Sequence, residues 1–258
     1  VRLVSVLALC LCPLPALGQE VDALIADLRS ADWPKVEKAA NRLVSLEGKA
    51  VPALLPLLDS REVVPLANTA DLIYPGAKTF YGHGRVVNYA LDSLAVRAGW
   101  ILESMTFQDF GFRSGTITED KLFQAMREHP GDMPMEQAVG PQRGPEPIAA
   151  AAAAARRWWE SSGRGWTRYE GLLAALDGND VRQQADALIW LRSGVTDCAG
   201  LDDVTYKLQI EPRARKLAAS ADAMVKLQAE SLLREGLFWE KRMIESAEAL
   251  EREWKEKQ

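Results

Sequence analysis

Between Val21 and Gly48 the apolar positions fall into two blocks, each with a period near that of an α-helix. Val21, Leu24, Ile25 and Leu28 sit at i, i+3, i+4 and i+7, which puts one apolar stripe on a first helix. Asp32 and Pro34 then supply start chemistry for a second helix, because proline fits the first turn, where its missing N–H is not needed. Val36, Ala39, Ala40 and Leu43 repeat the stripe, and Gly48 is placed to stop it. Neither helix can bury its stripe on the other alone, so the pattern predicts further helices stacked against the pair.

The first-helix pattern recurs. Val51, Leu54, Leu55 and Leu58 match it position for position, and Tyr169, Leu172, Leu173 and Leu176 match it again. Thr167 and Glu170 form a T-x-x-E capping box ahead of that last copy. Val181, Ala185 and Leu188 follow as an echo of Val36, Ala40 and Leu43. A recurring helical hairpin is the mark of a stacked α-solenoid, and the fold class it predicts is all-α.

Ala40, Leu43, Gly48, Ala50, Val51, Pro52, Leu54, Leu55, Leu57 and Leu58 form an "A–x–x–L…G–x–A–V–P–x–L–L–x–L–L" run. Through these residues Val21–Ser60 resembles a HEAT-type repeat, in particular the short bacterial variety related to phycobilin-lyase repeats. Residues 169–194 are a weaker match and lack the glycine–proline hinge. The resemblance implies an α-solenoid that binds protein partners, an inference about fold more than activity. An irregular bundle of similar hairpins is the alternative.

Elsewhere the periodicity breaks or lengthens. Residues 61–84 carry Pro65, Pro75, Gly76, Gly82 and Gly84 and read as a loop inserted into the second copy. A helix is predicted over about Arg85–Phe107, with Val87, Leu91, Leu94, Ala98, Ile101 and Met105 on one face and Tyr89, Val96, Trp100 and Phe107 on another. Thr116 and Glu119 cap a short helix ending near His129. Residues 130–147, with five prolines and three glycines, read as a linker or surface loop. The alanine run 148–155 predicts a strong helix. The segment from Gly194 to Pro212 fits strand or helix, but a lone strand is unstable, so helix or extended packing is expected. From Pro212 to Gln258 one long charged helix is predicted, its face running through Leu217, Ala221, Met224, Gln228, Leu232, Trp239, Met243, Ala247, Leu250 and Trp254, with Gly236 as a weak point. The predicted organisation is thus a segment 1–18 removed on export, a helical region 20–129, the 130–147 loop, and a second helical region 148–258.

Arg2, the apolar run Leu3–Leu14 and the small–x–small triplet Ala16-Leu17-Gly18 have the form of a secretory signal peptide, so the mature chain is expected to begin near Gln19, in the periplasm or outside the cell. Removing that segment leaves Cys198 as the one cysteine, and stability then rests on packing rather than on an internal disulfide. With 48% apolar residues the chain can bury a substantial core. Its net charge of −5 is poorly suited to neutralising nucleic-acid phosphates, and no nucleic-acid partner is expected. No later stretch is long and apolar enough to span a membrane.

Chemistry is sparse. Of two histidines, His129 sits at a helix end, and His83 stands between Gly82 and Gly84 with Tyr81 and Arg85 nearby. Glycines on both sides let the backbone approach a ligand or turn tightly. Tyr81, His83, Arg85, Arg97 and Glu103 are therefore the candidate ligand-binding residues. The plain alternative is a tight turn with the imidazole bonded locally. No metal set, phosphate loop, nucleophile elbow or haem motif is present, so no cofactor, metal or catalytic residue is predicted. Trp158, Trp159 and Trp166 could form an aromatic patch for a sugar or peptide, although adjacent tryptophans on a helix cannot share one face. Three readings stay open: an exported scaffold for protein partners, a ligand-binding protein or enzyme centred on the 74–85 loop, and an envelope protein associating through its C-terminal helix.

Overall fold

The computed structural model describes residues 17–69, 72–74, 85–86, 90–112, 145–162 and 165–256. The architecture is all-α. The first hairpin pairs α1 (Leu17–Asp27) with α2 (Trp33–Ser45). Helix α2 starts on Asp32 with Pro34 in its first turn and buries Trp33, Val36, Ala39, Ala40, Leu43 and Val44. After a short 3-10 turn, α3 (Val51–Leu54) runs into a second 3-10 stretch, Leu55–Asp59. Pro52 fits the first turn of α3, and Pro56 ends it by removing the donor that would continue its ladder.

The predicted Arg85–Phe107 helix begins later than its periodicity implied. Residues 85–86 form β2, which pairs in parallel with β1 (Leu72–Ile73), and the helix proper is α4 (Leu94–Thr106). Ser93 caps it, its hydroxyl accepting from Val96 N at 3.4 Å. Asp92 is occupied elsewhere: its carboxylate accepts from Tyr74 Oη at 2.6 Å and from Leu66 N at 3.2 Å. Its carbonyl accepts from Val64 N at 2.7 Å. These bonds hold residues 90–93 against the 62–66 segment and out of the helix.

Helix α5 (Pro145–Ser162) starts three residues inside the stretch expected to be linker. Its buried Ala151, Ala152 and Ala155 let it lie close on the Leu55–Asp59 turn and on α4. Arg156 fastens it there, donating to Asp59 Oδ2 at 2.6 Å and to Leu55 O at 3.1 Å. Together α1 to α5 enclose one apolar core.

A second core forms around α6 (Arg168–Asp177) and α7 (Val181–Ser193). The Thr167–Glu170 capping box is present on α6, and Asp180 caps α7 by accepting from Arg182 N and Gln183 N. The ambiguous 194–212 segment is irregular as far as Asp202 and helical beyond it: α8 (Asp203–Thr205) passes through a π-helical stretch, Tyr206–Ile210, into α9 (Glu211–Leu217). Pro212 lies inside this helical run rather than at its start, and its missing N–H leaves a ladder bond open beside the π stretch.

The predicted single C-terminal helix is three. A turn at Ser220–Asp222 separates α9 from α10 (Ala223–Glu235), and Gly236, at φ 85°, separates α10 from α11 (Trp239–Glu256). The turn also shifts the buried face to Val225, Ala229 and Leu232, leaving Met224 exposed. A third hairpin, α9–α10, results. Its turn repeats the first one in detail, since Ser220 Oγ accepts from Asp222 N at 3.2 Å as Ser30 Oγ accepts from Asp32 N at 3.1 Å. Helix α7 packs extensively on α10. The half-buried Arg192–Glu235 ion pair at 2.7 Å ties them together.

Candidate functional site

Of the five predicted site residues, Tyr81 and His83 lie outside the described residues, and only the backbone of Arg85 is described. Arg97 and Glu103 are both fully buried. Arg97 gathers main-chain carbonyls from three segments. Nε donates to Leu91 O, Nη1 to Leu28 O at 2.6 Å and Ser30 O at 2.9 Å, and Nη2 to Val64 O at 2.7 Å. Burial pushes its pKa down, opposed by the nearby Asp92. Glu103 Oε1 accepts from the backbone N–H groups of Phe110, Gly111 and Phe112, each at 2.9 Å. These two residues shape the loops at either end of α4. They do not share a site.

The tryptophans are largely spent on one another. Trp158 stands edge-on to Trp166 at 5.3 Å and packs near Trp159 at 5.9 Å and Phe110 at 5.7 Å. Trp159 and Trp166 also line a broad groove of about 830 Å³ with Glu47, Lys49, Asp197 and Cys198. Its central carboxylate is engaged: Glu47 accepts from Arg168 N at 3.3 Å and Ala199 N at 3.2 Å. Burial pushes the Cys198 thiol up to about 12, so it is a packed side chain and a poor nucleophile near neutral pH.

A tighter cleft of about 220 Å³ lies where the two cores meet, between α2, α4 and α7. Trp100, Ile101, Phe107, Ile189 and Trp190 supply apolar walls, and Arg168 is the buried cation among its lining residues. Phe107 caps α4 in the left-handed region (φ 56°), an uncommon state for a bulky residue, and its ring joins the second core. The Arg168 guanidinium lies 4.3 Å from the Trp190 ring centre and 5.1 Å from that of Phe107. Nη1 donates to Thr196 Oγ1 at 2.7 Å and to Asp197 O at 2.8 Å, while Nη2 donates to Ser104 O at 3.3 Å. Trp190 Nε1 donates to the same Thr196 hydroxyl at 2.9 Å. Among the described residues no carboxylate forms an ion pair with Arg168, and its Nε is buried without a partner. Burial accordingly lowers its pKa to about 10.

Sequence periodicity does not single out Arg168, because the capping box accounts for its surroundings. One signal was available: a cation in the first turn of a helix opposes the macrodipole, so it marks a residue held there for another reason. Compared with known proteins, the chain matches no family, no curated protein and no solved structure. Among the described residues no helix is long and apolar enough to cross a membrane.

Proposed function

We propose that this chain is an exported helical scaffold that docks on a protein partner through α11. The observation that carries the reading is the apolar face of that helix. Met243, Ile244, Leu250 and Trp254 are 53, 60, 67 and 61% exposed on one helix, while most other positions of α11 are charged. Such a stripe on a surface helix normally faces a core. Here α11 packs on α7 near its start.

Glu240 and Glu251 border the stripe, and Glu251 is paired with Lys255 at 2.7 Å, so the partner offers an apolar groove with a polar rim of mixed charge. The hairpins α1–α2, α6–α7 and α9–α10 support a HEAT-like stacking that presents α11 at one end. Export is supported by the pattern over residues 1–18, and cleavage after Gly18 trims only the first residues of α1.

Leu250→Glu and Trp254→Glu variants test the reading. Affinity capture from the native envelope, followed by binding of the purified partner, should show an interaction that both variants abolish. Binding unaffected by either substitution overturns it. So does a wild-type dimer in sedimentation velocity that either variant dissociates, because a second copy would then be the occupant. Leu250→Glu should leave unfolding stability within about 0.5 kcal/mol of wild type, the usual range for an exposed position.

A further inference from the structure

A guanidinium carries five N–H donors, and Arg168 uses three of them, two on Nη1 and one on Nη2. The unused Nε–H lies beside Nη2 in the guanidinium plane. That edge is the one that takes a carboxylate through two parallel hydrogen bonds. A buried cation that makes no direct ion pair is costly, and the cleft it lines is walled by apolar side chains.

Two carboxylates also line the cleft. Glu103 is held by three backbone N–H groups, and Asp186 stands on α7, half-buried. Space sets the size of the occupant. An apolar cavity of about 150 Å³ accepts benzene; the 220 Å³ here leaves room for a ring of that size and a carboxylate.

We propose that the cleft between the two cores binds a compact apolar molecule bearing a carboxylate, of about ten non-hydrogen atoms. The carboxylate meets the Nε–Nη2 edge of Arg168, and the apolar body lies against Trp100, Phe107 and Ile189. Nε is buried, so the carboxylate reaches it only as the side chains that cover it move aside. The same carboxylate chemistry occurs in a simple aryl acid and in an apolar α-amino acid, whose ammonium group would face Asp186. The proposal stands independently of docking by α11.

The test is calorimetric titration of the full chain with 3-phenylpropionate, L-phenylalanine and the neutral 3-phenylpropan-1-ol, with tryptophan emission as a second readout. At least one carboxylate should saturate a single site with Kd below about 1 mM and bind at least tenfold tighter than the alcohol. Whichever acid binds tighter identifies the source. Ile189→Trp, which fills the cleft from a partly exposed position, should abolish that binding. Arg168→Gln should weaken it by about tenfold to a hundredfold if circular dichroism shows the variant folded; if it is unfolded, the wild-type comparison with the alcohol decides. The proposal is overturned if neither acid binds with Kd below about 1 mM, if the tighter acid is less than about tenfold tighter than the alcohol, or if Ile189→Trp or a folded Arg168→Gln leaves binding unchanged.

Discussion

Arg97 in the N-terminal core and Arg168 at the seam are both shut away from water, yet their surroundings treat the charge in opposite ways. Arg97 is saturated. Four carbonyls from three separate chain segments converge on it, and each would otherwise be a buried acceptor lacking a donor. Arg168 makes three hydrogen bonds and lies against Phe107 and Trp190, whose rings meet edge-on beside it, and its Nε stays short of an acceptor. A cation consumed by main-chain carbonyls fixes irregular loops in place. A cation packed against rings and left with spare donors retains capacity to take another group.

Stability measurements can break this contrast. Arg97→Ala strands four acceptors and opens a cavity, so chemical denaturation should show a loss of about 3–5 kcal/mol. Arg168→Met keeps an apolar chain against both rings and leaves two carbonyls rather than four without their donor, and should cost only about 1–2 kcal/mol. Equal losses from the two substitutions would sink the comparison. Between them falls Gly99→Ala: an added Cβ meets the Phe112 ring at 2.1 Å, too close for any side chain, and repacking should cost about 2–3 kcal/mol. Its effect should combine non-additively with Arg97→Ala, because both residues sit on α4. The smallest change is Asp222→Ala. Asp222 caps α10 by accepting from Val225 N at 2.9 Å, and losing that bond should cost about 1 kcal/mol in thermal unfolding.

The first and second hairpins are legible because their apolar stripes are interrupted by recognisable start chemistry, Asp32-Trp33-Pro34 and Asp180. The third was concealed by phase. Leu217, Ala221, Met224 and Leu232 continue one helical stripe across the Ser220–Asp222 turn, so periodicity alone joins two helices into one. The repeated triplet Ser30-Ala31-Asp32 and Ser220-Ala221-Asp222 carried the missing information, since both copies make the same serine-to-backbone bond. The early start expected for α4 failed for a different reason: Asp92 is engaged by Tyr74 and by residues 64 and 66, contacts that local spacing does not encode. Long-range bonding also hides the seam. Arg168 reads locally as part of a cap, and only folding brings Phe107, Trp190 and Thr196 around it. Tyr81 and His83, the centre of the predicted loop site, fall outside the described residues.

The closure of the N-terminal core by α5 bears on the order in which the protein can be made. Arg156 and its anchor Asp59 are 97 residues apart, and Ala151, Ala152 and Ala155 fill the space above the turn that holds Asp59. At synthesis rates of roughly 5–20 residues per second, the ribosome needs about 5–20 s to deliver that helix after Asp59 has emerged. During this interval Leu54, Leu58 and the inner face of α4 lack part of their final cover. The nascent chain therefore passes through a stage in which its oldest segment waits for a younger one, and a holding chaperone would find its footing on that unfinished surface.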